Sequence, residues 1–280
     1  MHNIQLKDIT FIIVTYKSES VIKKCLLNLP IESKKIIIEN SNNKIFKKNL
    51  EKNFKNLKCY LTRENLGYGM ANNYGAQKAK TEYIFILNPD VIVDSEPFNK
   101  FLNILNNVKF DLAAPIDFSE KNNYNFKENI KIDVNHVKGF AMILKKNYFL
   151  KYLFDKNIFL YLEEIDLCKR IKKNFGKIIL INYCVRHIGG NSHGNKNDLE
   201  MEKSRNWHWM WSKFYFYKKY YGYLYGFLIT FPNFINCLAK YFLFKILFNK
   251  KKKIKYKMRF LGLLNSYLLK NSYYRPYSDI

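Results

Sequence analysis

Three short stretches, residues 11–15 (FIIVT), 35–38 (KIII) and 83–87 (YIFIL), are apolar almost without interruption and rich in β-branched side chains. A run of that length with no polar face is expected where a strand is covered on both sides. Residues 57–61 (LKCYL) read as one more strand. Between the first two strands, residues 18–29 place Val21, Ile22, Cys25, Leu26 and Leu29 on one helical face, and Pro30 closes the segment. Strand, helix and strand at this spacing predict βαβ units, hence an α/β fold built on a mainly parallel, mixed sheet with helices on both faces. Residues 111–115, 140–144 and 177–181 read as further strands, with a polar, irregular loop over 117–135.

Ligands of such sheets bind beyond the carboxyl ends of the strands. Thr15, Tyr16, Glu39 and Asn40 fall at those ends. A carboxylate after the second strand suits the base or ribose of a nucleotide, and equally a helix cap or turn. The stretch 65–73 (NLGYGMANN) carries two glycines before a helix expected over 70–80, and is neither GxGxxG nor a P-loop. After the 83–87 strand comes Asn88-Pro89-Asp90. Pro89 fixes its own φ and keeps Asn88 extended, so Asp90 is held where a divalent cation bridging a diphosphate could bind, although the tripeptide is also a common turn. His187 ends a strand ahead of a Gly/Asn/Ser-rich stretch, as a metal ligand or a structural histidine. In residues 158–170 (IFLYLEEIDLCKR), Glu163, Glu164 and Asp166 crowd three carboxylates into four residues. Their repulsion calls for a metal, a cation or a shared proton nearby, unless they simply favour the positive end of a helix dipole.

The charge is large and uneven. The 280 residues carry a formal +25, but residues 203–280 hold sixteen basic side chains against one acid. An evenly basic nucleic-acid binder would not divide this way, and the acidic stretch would repel phosphates without a metal; a nucleic-acid-binding protein and a nucleotidyltransferase are the rival readings. Residues 207–221 interleave Trp, Tyr and Phe with Lys, residues 221–239 are uncharged yet contain Pro232, Asn233 and Asn236, and 240–259 hold nine basic residues. This pattern describes a helical segment lying in an anionic membrane interface rather than a span. Domains are expected at 1–202 and 203–280. Five scattered cysteines without a CxxC pair read as reduced thiols of a cytosolic protein, and residues 1–8 are polar, unlike a signal peptide.

Taken in order, FIIVTYKS, IIIENSNN, ENLGYGMANNYGAQKA, YIFILNPDV, VKGFAMILKK, IFLYLEEIDLCKRI and VRHIGGNS resemble the inverting family-2 glycosyltransferases of the GT-A fold, in particular the rhamnosyltransferase-like branch that builds bacterial surface polysaccharides. The resemblance covers about residues 9–195. It implies a dTDP- or UDP-linked sugar donor, a divalent metal (Mn²⁺ or Mg²⁺) and a glycan acceptor. On the matching positions, Thr15, Tyr16 and Glu39 would hold the nucleobase and ribose, and Asn65, Gly67, Gly69 and Asn73 would shape the donor pocket. Asp90 would bind the metal, with Asn88 where the family's first Asp stands, and His187 would complete the metal site. Arg205 would help offset the diphosphate charge. The family's acidic signature places its base at the position of Glu164, one methylene longer than the usual Asp, with Glu163 and Asp166 beside it; Glu39 likewise stands where Asp is commoner. An acceptor on polyprenyl diphosphate would put the enzyme, as a peripheral protein, at the cytoplasmic face of the inner membrane.

Overall fold

The structure, a computed structural model, describes residues 3–93, 97–124, 126, 130–188 and 198–277. It divides into two compact units, one of Met1–Asp155 with Glu164–Lys196, the other of Lys156–Glu163 with Asn197–Ile280.

The elements before the C-terminal helices run β1 (Ile9–Thr15), α1 (Glu19–Leu27), β2 (Lys34–Glu39), α2 (Lys44–Asn53), β3 (Leu57–Leu61), α3 (Gly67–Lys78), β4 (Tyr83–Leu87), β5 (Val91–Ile92), α4 (Phe98–Asn106), β6 (Leu112–Asp117), β7 (Lys131–Asp133), β8 (Ala141–Lys145), α5 (Lys146–Tyr152), α6 (Glu163–Lys173) and β9 (Ile178–His187). The strand order is β3-β2-β1-β4-β8-β6-β9-β5, with β7 also on β9. The first four strands of that order are parallel, as the βαβ pattern implies. β8 runs antiparallel to both β4 and β6, and β5 and β7 run antiparallel to β9, so the other half of the sheet is mixed.

Alternation along the strands explains the unbroken apolar runs. Phe11 and Ile13 of β1 enter a core with Cys25 of α1, Leu50 of α2 and Phe101 of α4. Ile12 and Val14 point the other way, toward Ala71 of α3, Phe149 of α5 and Leu167 of α6. Helices α2 and α4 add to those the periodicity predicts. The expected loop over 117–135 contains a 3₁₀ turn (Phe118–Asn123) and β7. α3 starts at Gly67, three residues earlier than expected, with φ +76° at that glycine. The strand expected to end at Ile181 continues to His187. Its pairing with β6 shifts partway: Ala114 faces Leu180, but Ile116 faces Cys184, so β9 carries two extra residues there.

The second unit contains α7 (Leu199–Tyr221), α8 (Tyr223–Ile246) and α9 (Lys250–Tyr267). Gly222, at φ +86°, turns the chain from α7 into α8. Met210 and Phe214 of α7, Cys237 of α8, and Leu263 and Tyr267 of α9 form one core cluster. His208 of α7 is fully buried, its Nε2 2.8 Å from the Tyr274 carbonyl. Burial pushes this histidine down to about 3, so it is neutral with Nε2–H as the donor. Its ring stacks on Phe159 at 4.5 Å, and Ser212 Oγ donates to the Leu160 carbonyl at 2.8 Å, fastening residues 156–163 to α7.

α9 meets α7 at Gly262, where a Cβ would lie 2.2 Å from the Trp207 carbonyl oxygen, a backbone atom that cannot swing aside. Gly262→Ala is therefore expected to destabilise the helical unit by about 1–3 kcal/mol, read as an earlier unfolding transition in tryptophan fluorescence.

Candidate active site

The turn Asn88–Asp90 follows β4, and the two residues after it form β5. β5 pairs antiparallel with the end of β9, Val91 opposite His187. That pairing fixes the neighbouring side chains: His187 Nε2 lies 3.5 Å from Asp90 Oδ1, and the Ile188 N–H donates to the Asp90 carbonyl at 3.2 Å. On the other side of the ring, His187 Nδ1 is 3.9 Å from Asp117 Oδ2, at the end of β6. Asp117 Oδ1 is held by the N–H and hydroxyl of Ser119 at 3.0 and 2.9 Å. Phe140 stacks on the imidazole at 4.7 Å and 16°. His187 Nε2 and Asn88 Oδ1 are buried with no hydrogen-bond partner among the described residues.

Two atoms bound at about 2.1 Å to one cation, at octahedral or tetrahedral angles, stand roughly 3.0–3.4 Å apart. The carboxylate oxygen and imidazole nitrogen here fit such a cation with little adjustment. Among the described residues no group of three or more His, Cys, Asp or Glu is arranged to hold a metal, so the remaining ligands would come from substrate and water. Cys25 is close by, its Sγ 3.9 Å from the Asn88 carbonyl oxygen, but burial and then the Asp90 charge push it up to about 12 and keep it a thiol.

Glu164, in the first turn of α6, lies against Gly139, whose missing side chain matters: a Cβ there would come within 3.3 Å of Glu164 Cβ and 3.6 Å of its carboxyl carbon. Tyr68 of α3 donates its hydroxyl to the Gly139 carbonyl and holds that segment in place. Burial pushes the Glu164 carboxyl above its ordinary value, while the N–H groups of Glu164 and Ile165 at the helix start act against that rise. The helix is reached through Tyr161 and Leu162, both left-handed at φ +70° and +68°, a costly conformation for side chains other than glycine. Gly139 and Phe140 are thus consecutive residues, about 3.8 Å apart along the backbone, of which one abuts Glu164 and the next packs on His187. The Phe140 carbonyl also accepts the Asn88 N–H at 2.8 Å.

Other expected site residues have structural partners. Asp166 is buried in an ion pair, Arg170 Nε to Oδ2 at 2.8 Å, and Arg170 also donates to the carbonyls of Tyr152 and Leu153. Through Arg170, Asp166 anchors the α5–α6 connection. Asn73 is likewise occupied, its amide exchanging two 2.9 Å bonds with the Phe154 backbone. Thr15 is buried and its hydroxyl donates to the Ile38 carbonyl at 3.4 Å. Tyr16 is half-buried, its N–H donating to Ser18 Oγ at 3.1 Å. Glu39 is fully buried at the end of β2; one oxygen accepts the Ser41 N–H and hydroxyl, the other the Asn43 N–H at 2.7 Å. It therefore organises the loop after β2. Asn65 Oδ1 accepts the Gly67 N–H at 3.0 Å, Asn40 Nδ2 donates to the Gly67 carbonyl at 3.1 Å, and Gly69 is buried in the first turns of α3. Glu163 and Arg205 fall in the second unit, where both charges act on the buried phenol of Tyr161. The Gly/Asn/Ser-rich stretch expected to follow His187, 189–197, lies outside the described residues.

Asp117 and Tyr68 are additions that the sequence reading lacks. Asp117 opens a polar stretch that resembles a loop, and Tyr68 sits between two glycines that draw the attention to backbone conformation.

Residues 10–165 match glycosyl transferase family 2. The chain is similar to the low-salt glycan biosynthesis hexosyltransferase Agl10 of Haloferax volcanii, 23% identical over 195 residues, which cover 60% of this chain and 62% of that protein's length. It is also similar to the rhamnosyltransferase WbbL of Escherichia coli K12, 25% identical over 199 residues, covering 57% of this chain and 75% of WbbL. Among solved structures, GalNAc-T7 with UDP, GalNAc and Mn²⁺ superposes with a TM-score of 0.52 over 71% of this chain and 50% of that one, at 14% identity. Residues 1–349 of S. aureus TarS superpose with a TM-score of 0.50 over 95% of this chain and 93% of that one, at 13% identity. Structural likeness at these identities establishes the fold alone, and the family match covers more than half of the sequence: the chain, with its GT-A-like fold, belongs to glycosyl transferase family 2.

Proposed function

We propose that this protein is a metal-dependent, inverting glycosyltransferase that moves a sugar from a nucleoside-diphosphate donor to a hydroxyl of a growing, lipid-linked surface glycan. The observation that carries the reading is the dipeptide Gly139–Phe140, which sets Glu164 on one side and the Asp90–His187 pair on the other. A base and a cation site separated by one backbone step suit a single displacement, with proton removal at one end and a diphosphate leaving at the other.

Glu164 takes the proton of the acceptor hydroxyl as its oxygen attacks the anomeric carbon. Its raised pKa makes it a stronger base than an exposed carboxylate, and the added methylene lets it reach from the helix start. Asp90 and His187 would hold a Mn²⁺ or Mg²⁺ ion, which would supply neutralising charge to the diphosphate. Asn88 offers its side-chain Oδ1 to the same end. Asp117 positions His187, directing Nε2 at Asp90 in the manner of a carboxylate behind a ligating histidine. Thr15, Tyr16 and the loop organised by Glu39 receive the nucleobase and ribose, and Asn65, Gly67, Gly69 and Asn73 shape the adjacent wall. Glu163 acts beside Glu164, as an electrostatic support. One attack from the face opposite the leaving group inverts the anomeric centre.

A dTDP- or UDP-linked sugar is the donor class, and the similarity to WbbL favours rhamnose. A polyprenyl-diphosphate acceptor accounts for the basic, aromatic helical unit, which would hold the enzyme peripherally at the cytoplasmic face of the inner membrane. Nucleic acid is not the partner on this reading.

Glu164→Gln is expected to lower transfer by about 10²–10⁴-fold while leaving donor binding intact, measured by product formation and by isothermal titration with the donor. In the wild type, the base must be ionised and burial raises its pKa, so kcat/KM falls as pH drops through a point above the usual carboxylate range; an acid limb at the ordinary value would move the base elsewhere. Asp90→Ala is expected to abolish Mn²⁺ binding, and Asp117→Asn to weaken it about 10–100-fold, both read by Mn²⁺ titration followed by electron paramagnetic resonance in the absence of substrate.

A further inference from the structure

We infer that α8 lies in the plane of an anionic bilayer, as a wedge in one leaflet, rather than crossing it. The inference deepens the membrane part of the proposed function and concerns only the helical unit. Along α8, Leu224, Leu228, Phe231, Ile235, Phe242 and Ile246 recur at helical spacing and are exposed, from 40% at Phe231 to 72% at Ile246. Gly226, Thr230 and Cys237 lie on the opposite side of the helix and are buried. Residues 220–239 carry no charge, and the stripe continues past Lys240 and Lys245 to Ile246. An apolar strip of that length left in water marks an interaction surface.

Length and composition alone would let α8 span a membrane, since it has 24 residues and a rise of about 1.5 Å per residue against a core of about 30 Å. Its packed side argues otherwise. Lys213 of α7 donates its ammonium to Asn233 Oδ1 at 2.7 Å, midway along α8. Gly226 packs so closely that a Cβ would be 3.0 Å from the Lys218 backbone nitrogen. α9, on the same core, begins with Lys250–Lys253. A transbilayer α8 would carry these cations into the hydrocarbon with it, whereas an in-plane α8 keeps them on the water side, at the level of the lipid phosphates.

Charge also selects the occupant. Residues 203–280 hold sixteen basic side chains and one acid, so a second copy of this face would bring like charges together across an isologous contact. Anionic headgroups complement them, and acyl chains complement the stripe.

The test uses the full chain with vesicles of phosphatidylcholine and phosphatidylglycerol, without donor, acceptor or metal, so that its failure leaves sugar transfer standing. The five native cysteines are free and buried, so single exposed cysteines from Leu224→Cys, Ile235→Cys and Ile246→Cys can carry an environment-sensitive fluorophore. Lipids bearing quenchers at known depths should report the same shallow depth at all three positions. In flotation, Leu228→Glu and Phe242→Glu should each reduce vesicle partition roughly 10-fold, and binding should partly survive about 0.5 M salt because the apolar term is not screened. A deepest reading at 235 with shallow ends would mean a span and overturn the inference. Absence of quenching, or protection of the labels in a dimer seen by light scattering, would overturn it equally.

Discussion

The pairing of β5 with the last two residues of β9 is a minor contact in area, yet the candidate site depends on it. It sets Val91 opposite His187, and the carboxylate one residue upstream then lies 3.5 Å from the imidazole. The rest of the sheet makes this possible by being closed to water: both faces are covered, so polar chemistry is confined to the strand ends. Pro89 and the Asn88 N–H bond to Phe140 tie the turn to β8's entrance, and Gly139 ties the same entrance to Glu164. Three segments distant in sequence thereby share one short piece of backbone.

The parts visible in the sequence were those with a local cause. Strands buried on both faces announce themselves as unbroken apolar runs, and a proline ahead of Asp90 marks a rigid turn wherever it occurs. The acidic stretch shows the limit. Three adjacent carboxylates look alike in a string of letters, but the structure separates them: Glu164 lies against Gly139, Asp166 is neutralised by Arg170 one helical turn on, and Glu163 belongs with the helical unit. The i, i+4 spacing of Asp166 and Arg170 was there to be read. The two-way amide bond of Asn73 to Phe154 was not, since it joins residues 81 apart whose approach only the folded sheet decides. Asp117 was hidden for a related reason, as the last residue of a strand whose end is set by its partner.

The helical unit follows a different logic. Its core is built from aromatic rings and from polar groups satisfied in pairs, such as His208 with the Tyr274 carbonyl and Thr230 with Tyr267. Its acids lie almost all at the start of α7, where Glu200 and Glu202 pair with Lys203 and Arg205. Residues 203–280 carry sixteen basic side chains against one acid, an excess that costs self-repulsion in solution and is relieved near anions. The same composition that reads as solubility trouble in isolation is consistent with a protein at rest on a charged surface.

The irregular pairing of β6 with β9 has a consequence for how this family member can vary. β9 gains two residues over its neighbour between Leu180 and Cys184, and because a strand alternates sides with every residue, an even gain leaves each later side chain on its original face. Gain or loss of a single residue anywhere in Ile178–His187 would turn the histidine to the opposite side of the sheet, away from Asp90, without disturbing composition or hydrophobicity. Evolution along this strand is thus constrained by parity rather than by length.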